Sequence, residues 1–354
     1  MKTLRTILIV VGLMTCWSIL VGQTYNVLHY TETTGFNHNT KAVSFAMFNG
    51  FALPGYNITD SNSSAPFDTC YTVNANGDTI LNFDVIIWSN TSGCNGLDPN
   101  QRAMFEDWVK AGGSCIVIHA GFDTYRHSSA NGNCTGNFDF YAEHVAGGSV
   151  QQSPNHTKNN YAGVIVSVVS HVTQTLIPNP WNKLEEYYYW ENGYLNPNFT
   201  TIMQVQSTGS KSYDAQRMVV QIHENAWCGR MFATSLGHNK SNFQTDTDFQ
   251  QLLMNALMWV AGDPCATGFG ILDDLLSGGV VIPLQQAEIE EGYIYTDQTE
   301  IVQQNPFYEV WTLQGKFIYQ GFLDSQGRIE LISSTEPLLY RTYSQQFKVM
   351  KYEW

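Results

Sequence analysis

The stretch DPNQRAMFEDWVKAGGSCIVIHAG, residues 98–121, decides the fold. It begins with Asp98 and Pro99, a pair typical of a helix start, because a carboxylate caps free N–H groups and proline fits the first turn. Apolar residues recur at helical spacing until two glycines end the helix. SCIVIHAG (114–121) follows as an uninterrupted apolar run, which indicates a strand buried on both faces.

The same alternation extends on both sides of this stretch. Before it, YNVLHY (25–30) and FDVIIWSN (83–90) predict buried strands, and residues 39–51 between them have helical spacing. After it, residues 218–238 predict a closing pair of strands, and residues 249–261 predict a final helix. The pattern predicts an α/β fold with a parallel sheet covered by helices on both faces. Such sheets bind ligands beyond the carboxyl ends of their strands.

Composition limits the classes of partner. The 354 residues are 43% hydrophobic and 14% charged, which is enough apolar material for a packed core and excludes global disorder. The formal net charge is −14, and an acidic surface repels phosphate backbones, so we expect no nucleic-acid partner. Neutral ligands such as sugars remain open.

Both ends of the chain differ from its middle. Residues 1–22 combine Lys2 and Arg5 with an apolar run, which predicts a cleaved signal peptide; the alternative is an uncleaved anchor helix. No other stretch is long enough to span a membrane, so we expect no stable span in the mature chain. Residues 264–291 are typical of a linker, and residues 292–354 alternate with period two, which predicts a small all-β module.

Seven cysteines are present, and Cys16 lies within the predicted signal. An even number in an exported chain permits disulfides, but their connectivity stays open. No CxxC occurs, so a thiolate zinc site is not expected. Cys115 lies inside an apolar strand, which predicts a buried free thiol.

Several motifs, in order, carry a family resemblance. They are VLHYTETTGFNHNT, FDVIIWSNTSG, DPNQRAMFEDWVKAGGSCIVIHAGFDT, NKLEEYYYW, GRMFATSLGH and DFQQLLMNALMWVAGD. Together they make residues 24–263 resemble the ThuA-like (trehalose utilisation) family. The resemblance implies a flavodoxin-like fold of the class I glutamine amidotransferase type and a role in saccharide metabolism.

The tail has a resemblance of its own. VWTLQGKFIYQG and LLYRTYSQQFKVMKYEW resemble the C-terminal sorting domain of the type IX secretion system of Bacteroidetes, a β-sandwich. The usual opening Asn-Pro occurs only as Asn305-Pro306, close to the first strand. With the predicted signal peptide, this resemblance implies a secreted or cell-surface protein and the type IX machinery as a partner.

His119 and His238 are the first candidates for catalysis. Each ends a predicted strand, so both face the crevice of one parallel sheet. The resemblance places His119 where amidotransferases carry their cysteine nucleophile, and Asn239-Lys240 follow His238 where those enzymes carry the acidic partner, so glutaminase chemistry is not expected. Imidazoles there suit acid–base work or metal binding; the alternative is that each ring caps a strand end.

Carboxylates and aromatic residues add further candidates. Asp123 either serves the site or bonds its own turn, while His127, further along that loop, is expected to be solvated. Of Glu185 and Glu186, at most one is catalytic, because neighbouring strand residues point to opposite faces; we assign Glu186. Two other candidates, for stacking on a sugar ring, are Tyr188 and Trp190, with the protein core as the alternative.

The turn between the first predicted strand and the first predicted helix contains the last candidate residues. The resemblance implies that the Gly35–His38 turn helps to form the pocket; the alternative for His38 is a position at the helix N-terminus without a role in the site. We expect no cofactor, since nucleotide-binding glycine motifs are absent. A divalent metal is left open, although no HxH or HExxH spacing occurs; it would need distant ligands such as His29, His119 and His238. For His29, a hydrogen-bonded histidine of the core is an equally weighted alternative.

The leading functional hypothesis is an exported hydrolase or isomerase that acts on a saccharide at the strand carboxyl ends. The alternative is a non-catalytic, surface-displayed glycan-binding module that keeps the fold without the triad. A peptidase-like relative is disfavoured, because no Cys or Ser occupies the turn after the strand.

Overall fold

The fold is given by a computed structural model. It describes residues 24–53, 55–128, 132–158 and 161–262, with only the backbone of 192–194, and the backbone of seven strands between 289 and 350. The predicted signal peptide (1–22) and the predicted linker up to residue 288 lie outside the described residues. Within the described part, no helix is long and apolar enough to cross a membrane.

A nine-stranded sheet forms the centre. Its strands in chain order are β1 (Tyr25–Tyr30), β2 (Tyr56–Ser61), β3 (Val85–Ser89), β4 (Ser114–Ile118), β5 (Tyr161–Ser167), β6 (Trp181–Glu185), β7 (Thr200–Val205), β8 (Met218–Glu224) and β9 (Arg230–Thr234). In space they are ordered β6-β5-β7-β8-β9-β4-β3-β1-β2. Strands β2, β1, β3, β4 and β9 run parallel, and the other neighbours pair antiparallel. The predicted parallel sheet is therefore one half of a mixed sheet, and β8 and β9 form the predicted closing pair.

The helices are α1 (Lys41–Gly50), α2 (Pro99–Lys110), α3 (Lys240–Gln244) and α4 (Thr247–Ala261). Shorter helical turns occur at Ala65–Thr69, His119–Asp123, Asp139–Tyr141, Ala142–Ala146 and Val172–Gln174. Small two-stranded pairs are Tyr71–Val73 with Thr79–Leu81, His127–Ser128 with Gly132–Asn133, and Gly148–Val150 with Trp190–Leu195.

Helix α2 begins as its sequence predicts. Asp98 Oδ1 accepts hydrogen bonds from the N–H groups of Asn100 (2.8 Å) and Gln101 (2.9 Å). In return, the Gln101 side chain accepts one from Asp98 N–H at 3.0 Å, which completes a capping box. Pro99 occupies the first turn.

Helices cover both faces of the sheet. On one face, α1 and α4 pack on a core that includes Val27, Ile87 and Phe232. On the other face, Phe105 and Trp108 of α2 pack in a second core. This arrangement confirms the predicted α/β, flavodoxin-like fold class.

The described cysteines are either disulfide-bonded or buried, and the described part of the tail consists of β-strands. Cys94 and Cys134 form a disulfide, Cys228 is disulfide-bonded too, and Cys70 and Cys115 are buried free thiols, as predicted for Cys115. The tail strands form one three-stranded and one four-stranded antiparallel sheet. They are Ile289–Glu290, Tyr293–Tyr295, Phe307–Thr312, Phe317–Phe322, Arg328–Glu330, Leu338–Thr342 and Gln346–Met350.

Candidate active site

His119 lies directly after β4, at the carboxyl edge of the parallel strands. Its φ of +46° is left-handed, so the chain turns sharply at this residue. The buried ring places Nδ1 2.7 Å from the carbonyl oxygen of Ser235. Because a carbonyl oxygen only accepts, Nδ1 donates its proton to it, and the other ring nitrogen, Nε2, is the one that faces His238 and Glu186.

His238 follows the neighbouring strand β9 and meets His119. The two rings approach with 3.1 Å between His119 Nε2 and His238 Nδ1. The turn before His238 is held by the fully buried Glu185, which accepts hydrogen bonds from Gly237 N–H (3.1 Å) and from Asn242 Nδ2 (2.6 Å). Glu185 thus positions His238 without facing the site.

Glu186 points to the opposite side, as strand alternation requires. Its Oε2 lies 3.1 Å from His238 Nδ1 and 3.4 Å from His119 Nε2, and its Oε1 lies 3.0 Å from His156 Nδ1. Burial alone would raise the pKa of Glu186, but the hydrogen bonds and charges of His119 and His238 outweigh it and lower that pKa. Reciprocally, burial lowers the pKa of His238, but Glu186 outweighs it and raises that pKa.

His38 packs against both imidazoles. Its ring centroid lies 4.8 Å from that of His119 and 5.0 Å from that of His238. Burial, followed by these two neighbours, lowers the pKa of His38 to about 2, so the ring is neutral. One ligand atom each from His38, His119, Glu186 and His238 lies within 4.8 Å of the others. We call these four residues the His₃Glu cluster.

A buried asparagine ties the segments of the cluster together. Asn90, after β3, donates from Nδ2 to Thr40 Oγ1 (2.9 Å) and to the carbonyl oxygen of Gly237 (3.0 Å). Its Oδ1 accepts from Ala120 N–H at 3.2 Å. One side chain therefore connects the segments that carry His38, His119 and His238. No motif marks Asn90 in the sequence, and its only signal there is a polar side chain directly after a buried strand.

Three members of the cluster, His38, Glu186 and His238, line a cavity of about 780 Å³, whereas His119 is fully buried and is not among the lining residues. Its lining residues are Phe36, Asn37, His38, Asp123, Asn155, His156, Glu186, Tyr188, His238, Asn239, Lys240 and Ser241. Asp123 is buried, and its Oδ1 has no hydrogen-bond partner among the described residues. Burial, and then the charge of Glu186, raise the pKa of Asp123 well above its usual value, which favours the protonated form of this carboxyl group.

The family follows from residues 26–260, which match the family model ThuA, described as trehalose utilisation. The chain belongs to the ThuA family. No curated protein matches the sequence.

Solved structures resemble this ThuA chain at low sequence identity. A ThuA-like protein from Bacteroides uniformis is 18% identical, with a TM-score of 0.50 over 68% of this chain and 92% of the other. A ThuA-like protein from Parabacteroides merdae is 15% identical, with a TM-score of 0.48 over 68% of this chain and 90% of the other. At such identity the Bacteroides uniformis protein shows the fold alone.

Other candidates of the ThuA chain divide between cavity and core. Tyr188 lines the cavity and stacks on His119 with ring centroids 4.6 Å apart and an interplanar angle of 13°. Trp190 does not line it, because its ring packs against Phe122 in the core. Gly35 also lies outside the lining, and its N–H donates to the carbonyl oxygen of Ser92, whereas the next three residues of the turn line the cavity.

Three further histidines of the ThuA domain can be compared with the sequence-based predictions, and for His29 the alternative of a core histidine is the one observed. His29 is absent from the cluster: its Nδ1 lies 2.8 Å from Asp60 Oδ1 on the neighbouring strand β2. His127 is buried rather than solvated, with Nε2 2.8 Å from Glu191 Oε1. His156, which no motif marked, reaches the site because its loop pairs with the segment around Tyr188.

Proposed function

We propose that this ThuA-family chain is an exported enzyme that processes a saccharide in the cavity beside His119 and His238. The observation that carries the proposal is the pair of unlike carboxyl groups at one cavity. The imidazoles outweigh burial and lower the pKa of Glu186, while burial raises the pKa of Asp123, whose buried Oδ1 has no hydrogen-bond partner among the described residues. Environments that push two pKa values apart are how enzymes divide the roles of acid and base.

The cavity lining favours a neutral, hydroxyl-rich ligand. Asn37, Asn155 and Ser241 offer donors and acceptors without net charge, which suits sugar hydroxyl groups. Phe36, 54% exposed at the cavity, offers an apolar face for a sugar ring. The volume of about 780 Å³ lies within the range of small-molecule pockets. The description of the family, trehalose utilisation, agrees with this class of ligand.

In a proposed hydrolysis, Asp123 donates a proton to the leaving oxygen as the bond between that oxygen and the sugar carbon breaks, and the His₃Glu cluster accepts a proton from the water whose oxygen bonds to the same carbon. In a proposed isomerisation, the cluster takes a proton from the carbon beside a carbonyl group while Asp123 protonates the carbonyl oxygen, and the enediol formed is reprotonated on the other carbon. Glutaminase chemistry is not proposed, since the one thiol of β4, Cys115, is buried within the strand.

The test is turnover of a panel of di- and oligosaccharides, including trehalose, by the full-length chain. Asp123→Asn should lower kcat by roughly 10²- to 10⁴-fold, the usual contribution of a general acid, with little change in ligand affinity. Glu106→Gln on the outer face of α2 is the matched control and should retain activity. Saccharide binding without any turnover by wild type would contradict the enzyme and identify the glycan-binding module instead.

Export is the second part of the proposal. The signal-like residues 1–22 and the sorting-domain resemblance of the tail support it, as do the two antiparallel sheets between 289 and 350. Secretion would bring the type IX machinery into contact with the tail. Mass spectrometry of protein from the culture medium and the cell surface should find a new N-terminus near Gln23; a cytoplasmic chain beginning at Met1 would refute export.

A further inference from the structure

We propose that the His₃Glu cluster is a binding site for one divalent transition-metal ion. The site is defined by protein atoms alone, so the inference goes beyond the saccharide reaction and does not depend on it. Its members are His38, His119, Glu186 and His238.

The ligand atoms of the cluster are spaced like those around a metal ion. His119 Nε2, His238 Nδ1 and Glu186 Oε2 form a triangle with edges of 3.1, 3.1 and 3.4 Å. Around a tetrahedral zinc ion with bonds of ~2.0–2.1 Å, ligand atoms are ~3.3–3.4 Å apart, and three adjacent ligands of an octahedral ion are ~3.0 Å apart. The triangle therefore has the size of one face of a metal polyhedron.

The ring nitrogens are oriented for a metal ion as well. His119 donates its Nδ1 proton to the carbonyl oxygen of Ser235, so Nε2 is the ring nitrogen left for a ligand bond, and it lies 3.4 Å from Glu186 Oε2. A proton or a cation between these two atoms accounts for their approach. Metal-bound histidines characteristically donate their second ring N–H to a carbonyl or carboxylate, which is the arrangement of His119.

Residues around the cluster hold Glu186 and the His119 ring in place. The second oxygen of Glu186, Oε1, lies 3.0 Å from His156 Nδ1, which leaves Oε2 for the cluster. Tyr188 stacks on the His119 ring and fixes its plane. His38 Nδ1 is buried without a hydrogen-bond partner among the described residues, so coordination of this ring would fix it in place.

The donor set selects the class of metal. Three imidazoles and one carboxylate suit Zn²⁺, Fe²⁺, Co²⁺ and Ni²⁺, whereas Ca²⁺ and Mg²⁺ prefer oxygen ligands throughout. His38, Glu186 and His238 all line the cavity, so a ligand entering from the cavity can reach the ion. A metal there would polarise a bound water or a sugar oxygen.

The experiment uses the full-length chain without a polyhistidine tag, stripped with a chelator and titrated with Zn²⁺ and Co²⁺. We expect one equivalent per chain, a visible d–d spectrum with Co²⁺, and a rise in Tm with Zn²⁺. His238 is more exposed than its neighbour His119, and His238→Ala should weaken the affinity for Zn²⁺ by at least ~100-fold. His156→Ala, which removes a contact to Glu186, should weaken it by ~10- to 100-fold.

The matched control is His144→Ala, which removes a half-exposed imidazole outside the cavity and should leave stoichiometry and affinity unchanged. Circular dichroism of each variant separates lost binding from lost folding. Binding well below one equivalent by wild type, or equal affinity of wild type and a folded His238→Ala, would overturn the metal site. A metal-bound chain without turnover contradicts only the saccharide enzyme, and an active chain that binds no metal contradicts only this inference.

Discussion

Replacing Glu185 tests whether the fold and the cluster are coupled through one buried carboxylate. This side chain is fully buried and accepts hydrogen bonds from Gly237 N–H, Asn242 Nδ2 and the N–H of Glu186. It also lies 3.7 Å from Lys183 Nζ, itself 2% exposed at the side chain. Removing the carboxylate leaves the three donors without this hydrogen-bond acceptor and leaves the buried ammonium group of Lys183 without one of its negatively charged neighbours.

The magnitude follows from these contacts. A hydrogen bond to a charged group contributes ~1.5–3 kcal/mol, and breaking a buried ion pair costs ~3–5 kcal/mol. The terms share one side chain and do not add, and Lys183 keeps its contact with Asp246 at 2.5 Å. We expect Glu185→Ala to lower the free energy of unfolding by ~3–5 kcal/mol. Glu185→Gln, which keeps one acceptor oxygen, should lower it by ~1.5–3 kcal/mol.

Urea denaturation at neutral pH, followed by circular dichroism, measures these losses. The control is Glu106→Ala, which removes an exposed ion pair with Lys110 and should cost no more than ~0.5 kcal/mol. Because Glu185 holds the turn before His238, the folded Glu185→Gln variant should also bind Zn²⁺ ~10- to 100-fold more weakly than wild type. A Glu185→Ala protein within ~1 kcal/mol of wild type would refute the reasoning.

Three further perturbations follow from contacts described above. Burial lowers the pKa of His29 despite its bond to Asp60, so below about pH 6.5 the unfolded chain binds a proton that the folded chain does not. The stability of the fold is therefore highest well above pH 6.5 and falls as the pH drops through this value, so Tm should decrease between about pH 7.5 and about pH 5, and less in His29→Gln. Asn90→Ala leaves three buried partners unsatisfied and should cost ~2–4 kcal/mol in urea denaturation. The Cys94–Cys134 disulfide joins residues separated by 40 positions, so its double serine variant should lose ~3–4 kcal/mol, seen as a lower Tm.

Each of these expectations has a contrary result. Equal pH dependence of Tm in wild type and His29→Gln would show that this ring does not contribute. An Asn90→Ala variant with wild-type stability and wild-type Zn²⁺ affinity would contradict its role in joining the segments. For the disulfide, an unchanged Tm after full reduction of the wild type would show that the bond does not stabilise the fold.

The sequence predicted the parts of the site that belong to strands. Continuous apolar runs define β3 and β4, and β9 was recognised within the closing pair; adjacent parallel strands necessarily bring His119 and His238 to one edge. Glu186 was separated from Glu185 by the alternation of strand faces alone. These inferences depend on local periodicity, which a single sequence carries.

Residues placed by tertiary packing could not be predicted in this way. His29 was grouped with the site because it is near a strand end, but it lies inside β1, and alternation turns it toward Asp60. His156 reaches Glu186 only because two distant segments pair. Trp190 is amphipathic, so its composition fits a sugar platform and a protein core equally well, and only the fold decides.

The neighbouring carboxylates Glu185 and Glu186 carry a consequence for assembly. If β6 slipped by one residue against β5, the two side chains would exchange faces. Glu186 would then point away from the imidazoles of the cluster, and Glu185 would point toward them. Ion capture would then fail even in a chain that looks folded by its overall helix and strand content. The amount of metal bound by the His₃Glu cluster is thus a sensitive measure of strand alignment after refolding, because molecules with a shifted β6 bind no metal.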